Sequence, residues 1–368
     1  MNLNFLEKFI SKIKAVPKKI CKEKNKMEAI ILAGGFGTRL RPLTYTRAKS
    51  LLPILNKPMI SHLIESLPNE VDKIILAVNY RKDQIEKYFK KNDHGKKIIV
   101  NDEPEPLGTG GATKFAEKHI TGRFFVLNSD IICSLNIEKM IMFHEKNNSM
   151  STISLWPVDN VSEFGVADVK DDGNIVGFVE KPKPEEAPSN FINAGAYLLE
   201  PEVLDYIETG RLVSMEKEIF PQIIKDTGRF YGFKFEGYWM DIGRISSYIN
   251  IHKFLLNRKK MKYFKGDNCI INGDLFESCI GNNVIVGKDT KIESSIIYDN
   301  VLINEGVVLK NCVVGENCKV GKGSNISSCV LGDNENIDEK SILKDEIIWT
   351  KPKPEGYPDK QVGNIIKK

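Results

Sequence analysis

The chain has 368 residues, 41% hydrophobic and 28% charged, with 53 basic against 49 acidic side chains. That length predicts two domains with an appendage, and that balance fits a globular chain able to bury a full core. No apolar run reaches the ~18 residues of a membrane-spanning helix, and the 45 basic and 47 acidic residues beyond position 26 offer nucleic acid no basic face.

The segment 1–26 carries the excess charge, eight lysines against Glu7 and Glu23. Leu3, Leu6, Phe9, Ile10, Ile13, Val16 and Ile20 recur at helical spacing with lysines opposite and Pro17 as a break. This basic N-terminal extension is expected as an amphipathic helix making weak contact with an anionic membrane surface, or as a disordered segment preceding a start at Met27. A continuous apolar core and a small-residue cleavage site are missing, so it is not a secretory signal. The seven cysteines are odd in number and form neither CxxC nor Cys/His metal spacing, which fits a reducing, cytoplasmic setting.

From Met27 short apolar runs alternate with helix-like stretches. Strands are predicted at 29–33, 74–78, 98–100, 124–127 and 153–155, with helices at 59–66 and 84–89 between the first few. Nearly continuous apolar strands imply an α/β domain, a Rossmann-like mixed, mostly parallel sheet covered on both faces. In such sheets ligands bind beyond the carboxyl ends of the strands. The first strand runs into Gly34-Gly35-Phe36-Gly37-Thr38-Arg39-Leu40-Arg41-Pro42-Leu43-Thr44. A glycine loop leaving a strand presents backbone N–H groups to a polyphosphate, and Arg39 adds a bidentate fork. A tight structural turn accounts for the glycines at least as well. The loop is neither a P-loop nor a dinucleotide fingerprint, whose third glycine would fall on Leu40. Lys49, ten residues past Arg39, strengthens the phosphate site only if it folds back over the loop.

From residue 280 large apolar residues keep a counted register. Ile280, Val286 and Ile292 are followed by Ile297, Ile303 and Leu309, then Val314, Val320 and Ile326, then Leu331, Ile337 and Leu343. Steps of six, six and five make a coil of seventeen, repeated four times, with Tyr263, Cys269 and Leu275 as a weaker preceding one. Mostly small residues stand two places earlier, Cys312, Cys318 and Cys329 among them. Three faces per coil is the arithmetic of a parallel β-helix, the large residue inside and the small one at a corner. The three cysteines are therefore packing residues. No histidine follows His252, so acyl transfer with a histidine base is not expected of this domain. Oligomerisation or regulation is its expected role.

Ala33 to Leu40 with Lys49 resembles the signature of the sugar-1-phosphate nucleotidyltransferases (nucleotide-sugar pyrophosphorylases). Glu105-Pro106-Leu107-Gly108-Thr109-Gly110-Gly111 is similar to that family's nucleobase loop, and Phe125-Val126-Leu127-Asn128-Ser129-Asp130 to its metal-binding strand end. Phe164-Gly165-Val166, Phe178-Val179-Glu180-Lys181-Pro182 and Asn193-Ala194-Gly195 resemble its sugar-binding segments. Glu216-Lys217-Glu218-Ile219-Phe220-Pro221 and Tyr238-Trp239-Met240-Asp241-Ile242-Gly243 are similar to the mannose-1-phosphate guanylyltransferase branch. The resemblance implies a nucleotidyltransferase (GT-A-like) domain at 27–257 and a left-handed hexapeptide-repeat β-helix at 263–348, with the extension at 1–26 and a tail at 349–368 that caps the helix or hangs loose.

It further implies attack by a sugar-1-phosphate oxygen on the α-phosphorus of a nucleoside triphosphate, GTP favoured, with pyrophosphate leaving. Two anions must meet, so catalysis needs positive charge and positioning. On this resemblance Gly34, Gly35, Gly37 and Thr38 hold the triphosphate with Arg39. Lys49 neutralises the reacting phosphates and Lys181 the phosphate of the incoming sugar. Glu103, Gly108 and Thr109 take the nucleobase, and Gly165, Glu180 and Asn193 the sugar. Asp130 and Asp241 share a Mg²⁺. A homo-oligomer through the β-helix is expected, and no nucleic-acid partner. Three readings stay open beside GDP-mannose synthesis: a uridylyl- or thymidylyltransferase for glucose-1-phosphate, a heptose-1-phosphate guanylyltransferase, and a non-catalytic regulatory subunit. Against the last, the charged set Arg39, Lys49, Asp130, Lys181 and Asp241 is complete. Ala48 and Ser50 depart from the family pattern, where proline is common, and so does Ser129, where many relatives have glycine.

Overall fold

The computed structural model describes residues 26–352. The expectations for residues 1–25, and for the tail past Pro352, fall outside the described residues. The strands that build the first domain are β1 (Met27–Leu32), β2 (Val71–Val78), β3 (Lys97–Asp102), β4 (Phe124–Asn128), β5 (Ile131–Cys133), β6 (Ser151–Pro157), β7 (Gly165–Val169), β8 (Ile175–Glu180), β9 (Phe191–Leu199), β10 (Phe230–Lys234) and β11 (Trp239–Asp241). Nine of them make one mixed sheet in the order β8-β7-β9-β4-β1-β2-β3, with β6 beside β9 and β10 beside β6. β3, β2, β1 and β4 are parallel neighbours, whereas β9 runs antiparallel to both β4 and β6. β5 and β11 pair separately as a short antiparallel ribbon.

Side chains of a strand alternate between faces, and both faces are buried here. Ile30, Ile75, Phe124 and Val126 point into one core, shared with Phe220 and Ile223 of α5 (Phe220–Thr227). Ile31, Ile74, Leu76 and Phe125 point into the other, under α1 (Met59–Ser66), α2 (Lys82–Lys91) and α4 (Ile137–Lys146). Burial on both sides is why these strands read as unbroken apolar runs. Truncating a side chain such as Phe125, fully buried, to alanine costs about 3–5 kcal/mol.

After α6 (Ile245–Arg258) the chain winds into three parallel sheets. The counted register holds: Ile280 pairs with Ile297, Val286 with Ile303 and Ile292 with Leu309, a step of seventeen on every face. Cys312, Cys318 and Cys329 are fully buried at the small inward positions. The arrangement fits the left-handed hexapeptide form. The first coil departs from the expected one. Lys265 and Ile271, not Tyr263 and Cys269, align with Ile280 and Val286, while Leu275 aligns with Ile292 as counted. The corner between Ile271 and Leu275 is two residues short, and Gly273 packs there so closely that a Cβ would lie 2.5 Å from the Thr290 carbonyl. Another corner repeats a left-handed residue, Asn268, Asn283, Asn300, Asn317 and Asn334, with φ of 56° to 65°. Asparagine tolerates that conformation, and neighbouring amides bond in a ladder.

One face of the β-helix is not free. Cys279, Ile296, Tyr298, Val313 and Val330 pack into a single core with Leu40, Leu43, Leu52 and Met59 and with Tyr248 and Ile251 of α6. Trp349, where the expected tail begins, lies with its ring 5.2 Å from that of Tyr45.

Candidate active site

The carboxyl ends of β1, β2 and β4 open into a cavity of about 360 Å³. Its walls include Gly34, Gly35, Lys49, Glu103, Gly108, Thr109 and Asp130, seven of the residues expected in the site. Gly34 sits so close to Asn79 that a Cβ would lie 3.3 Å from the Asn79 backbone nitrogen, while Gly35 faces open space. Gly37 does not line the cavity. It takes a left-handed φ of 62°, and its carbonyl accepts a 2.8 Å hydrogen bond from Thr44 Oγ1. A Cβ there would meet Lys49 Cβ at 3.2 Å, so Lys49 does fold back over the glycine loop. Thr38 opens a short turn, Thr38–Leu40, that delivers Arg39 to Gly243.

Four charged groups meet beside the loop. Lys49 Nζ forms an ion pair with Asp130. Burial works to raise the Asp130 carboxyl, but Lys49 and Arg39 overcome it and hold the group below its ordinary range. β11 brings Asp241 alongside, and Ile242 N–H donates to the Asp130 carbonyl at 2.8 Å. Burial and then the Asp130 charge push the Asp241 carboxyl up. The Arg39 guanidinium presses on Gly243, where a Cβ would lie 2.6 Å from it and 3.1 Å from Asp241 Oδ1. Two carboxylates on adjoining strands form a hard oxygen donor pair, which fits a small divalent cation completed by phosphate oxygens and water. Among the described residues no group of three or more His, Cys, Asp or Glu could hold a metal alone.

At the far end of the cavity Glu103 follows β3. Its N–H donates to Val78 O at 2.8 Å, its carbonyl accepts from Asn79 Nδ2 at 3.0 Å, and among the described residues its carboxylate receives only the Leu107 N–H at 3.4 Å. Burial pushes this carboxyl up to about 7. Helix α3 (Gly108–Phe115) starts at Gly108, whose φ of 73° favours glycine and where a Cβ would lie 2.5 Å from Val213 O.

The expected sugar residues form a second group. Gly165 pairs with Glu180 across β7 and β8, and a Cβ on it would come within 2.7 Å of Glu180 Oε2. Glu180 is raised by burial and by Glu216. Asn193 Nδ2 donates to Tyr197 OH at 2.8 Å, and Tyr197 OH donates to Glu216 Oε1 at 3.0 Å. Glu216 Oε2 accepts from Thr109 Oγ1 and from Ser214 Oγ, both at 2.7 Å. Glu216 thus ties the start of α3 to Tyr197 and, through it, to Asn193. No role for it was evident from the sequence, where it is one acid in a segment that bears the family resemblance. Lys181 does not line the cavity; its side chain is 61% exposed and its Nζ lies 3.5 Å from Glu180 Oε1.

Residues 28–258 match the family model described as nucleotidyl transferase, and residues 266–354 match one described as GMPPB C-terminal domain. The chain is 42% identical over 258 residues to the mannose-1-phosphate guanyltransferase of Saccharomyces cerevisiae, covering 67% of this chain and 70% of the relative. It is 42% identical over 292 residues to a probable mannose-1-phosphate guanylyltransferase 2 of Arabidopsis thaliana, covering 73% and 79%. Among solved structures, HddC from Yersinia pseudotuberculosis complexed with GMP-PN superposes with a TM-score of 0.53 at 34% identity, covering 62% of this chain and 99% of that one.

Proposed function

The chain belongs to the nucleotidyl transferase family, and from that premise we propose that it transfers GMP from GTP to mannose-1-phosphate. A phosphate oxygen of the sugar attacks the α-phosphorus, the bond from that phosphorus to the β-phosphate bridge breaks, and pyrophosphate leaves with GDP-mannose as the other product. The observation that carries this reading is the meeting of Arg39, Lys49, Asp130 and Asp241 at the mouth of the glycine-loop cavity.

The glycine-loop amides and Arg39 hold the triphosphate, and Lys49 exchanges its ion pair with Asp130 for the reacting phosphates. Charge that moves onto the leaving pyrophosphate is met by groups already in place, which is where preorganised sites gain most. Lys181, exposed beside Glu180, meets the phosphate of the incoming sugar, while Glu180 and Asn193 orient its hydroxyls. Asp130 and Asp241 would hold the metal, for which we propose Mg²⁺; when bound it would supply positive charge against the phosphates. Glu103 supports guanine over uracil or thymine. Guanine offers two adjacent donors, N1–H and the N2 amine, to one carboxylate, whereas uracil and thymine flank their single N–H with carbonyl oxygens that a carboxylate repels.

The test is pyrophosphate release with Mg²⁺, pairing GTP, UTP, dTTP and ATP with mannose-, glucose- and heptose-1-phosphates. The highest kcat/KM is expected for GTP with mannose-1-phosphate. A different best pair overturns the substrate assignment, and silence from folded protein across the panel favours a regulatory subunit. Assembly into a homo-oligomer through the β-helix and a cytoplasmic location are part of the same proposal, the latter supported by six free cysteines among the described residues.

A further inference from the structure

We propose that the β-helix is a working part of the active site, gripping Arg47 so as to position Lys49. The inference rests on the reading of Lys49 as the residue that meets the reacting phosphates. The segment carrying Lys49 is pinned to the β-helix on both sides of that residue. Before it, Trp349 stacks near Tyr45, Thr46 Oγ1 donates to Asp333 Oδ2 at 2.5 Å, and Arg47 Nη2 pairs with Glu316 Oε2 at 2.6 Å. The Arg47 guanidinium also lies 4.8 Å from the centre of the Tyr298 ring, a cation–π contact. After it, Asn56 Nδ2 donates to Ile280 O at 3.1 Å. From the first domain, Gln84 of α2 brackets the same stretch, accepting from Ala48 N–H at 3.0 Å and donating to Thr46 O at 2.8 Å.

The acidic residues on the β-helix side are built for this. Asp299, Glu316 and Asp333 recur at the coil period of seventeen, one per coil at the same corner. Stacked like charges on neighbouring strands destabilise, so the column needs a reason. Asp299 and Asp333 have a local one: each accepts a backbone N–H of the preceding coil, from Asn282 at 2.7 Å and from Glu316 at 2.8 Å. Glu316 breaks the pattern. Its longer side chain reaches outward and takes Arg47. The buried residues Ala48 and Ser50 lack the ring constraint of proline on either side of Lys49. The grip on Arg47 and the Gln84 bracket supply that constraint from outside the loop.

The test uses the full-length protein and three substitutions. Glu316→Gln and Arg47→Gln are expected to lower kcat about tenfold, the scale on which misplaced catalytic groups lose rate, with KM for GTP within about twofold and the thermal midpoint unchanged. The exchange Arg47→Glu with Glu316→Arg is expected to recover most of the lost kcat; a fall in kcat at unchanged thermal midpoint and KM is the readout that a merely structural role would not give. Lys49→Met reports on the underlying reading. If Lys49→Met is inactive while Glu316→Gln keeps wild-type kcat, or the exchange recovers nothing, positioning by the β-helix is overturned and the Lys49 assignment stands. If Lys49→Met retains full activity, the assignment itself fails and the proposal falls with it.

Discussion

Glu103→Gln separates the stability of this protein from its choice of base. Burial raises the Glu103 carboxyl from an ordinary 4.5 to about 7 in the unliganded chain. At ~1.4 kcal/mol per pH unit the full shift would be worth about 3 kcal/mol, and the open cavity screens it to roughly 1–2 kcal/mol. The sign follows from the direction. A carboxyl raised on folding favours the protonated form, so it costs nothing below pH 4.5, costs progressively more as pH rises toward 7, and costs its full amount above. Glutamine removes that cost. The variant should therefore be more stable than the wild type by roughly 1–2 kcal/mol at pH 8, with the gap closing toward pH 5. At the same time it loses the bidentate acceptor for guanine, worth about 1–3 kcal/mol, so KM for GTP should rise about 5- to 150-fold. Wild-type KM for GTP should itself rise about tenfold between pH 8 and pH 6 as the carboxyl protonates. Denaturant midpoints from pH 5 to 8.5, with GTP titrations of the initial rate, read both effects. A stability gap independent of pH, or an unchanged KM for GTP, would refute the reasoning.

Asp130→Asn and Asp241→Asn should each cut kcat about 10²- to 10³-fold and weaken the Mg²⁺ dependence of the rate; near-normal turnover would remove the metal role. The Asp130 carboxyl lies below its ordinary value, so the stability it contributes is present above pH 3.8 and lost as pH falls through its folded value. Gly165→Ala places a methyl 2.4 Å from Phe178 Cζ and 2.7 Å from Glu180 Oε2, so both side chains must shift. KM for the sugar phosphate should then rise about tenfold with that for GTP unchanged, and an equal rise in both would mean general disruption. Burial pushes the Cys312 thiol up to about 11 and the Cys318 thiol up to about 12. Since the thiolate is the reactive form, both should escape iodoacetamide at pH 8 until the protein is unfolded, as read by peptide mapping.

Part of this fold was legible in the order of its amino acids: β1 to β4, β6, α1 and α2 lie where the apolar runs place them, whereas β5, β7 to β11 and α3 to α6 were not expected. Helix α1 falls where its spacing places it, and the seventeen-step register of the coils is visible because each inward position demands a large apolar residue and each corner a small one. Candidate site residues could be singled out too, since a glycine loop, two aspartates and two lysines keep their types whatever the packing around them. Which of them meet was settled by packing alone. Nothing local in residues 241–243 says that β11 lies against β5, where Asp241 pairs with Ile131 and so comes beside Asp130. The role of Glu216 is equally invisible, because its partners Thr109 and Tyr197 are 107 and 19 residues away in the chain. The first coil slips by two residues because a corner at Gly273 is cut short, which a count of apolar positions does not register. And the contacts that bracket Lys49 come from much later coils, Glu316 lying 269 residues beyond Arg47 and Asp333 lying 287 residues beyond Thr46. Local pattern reports what a residue needs from its own strand or turn; a site assembled from distant strands exists only once those strands have packed.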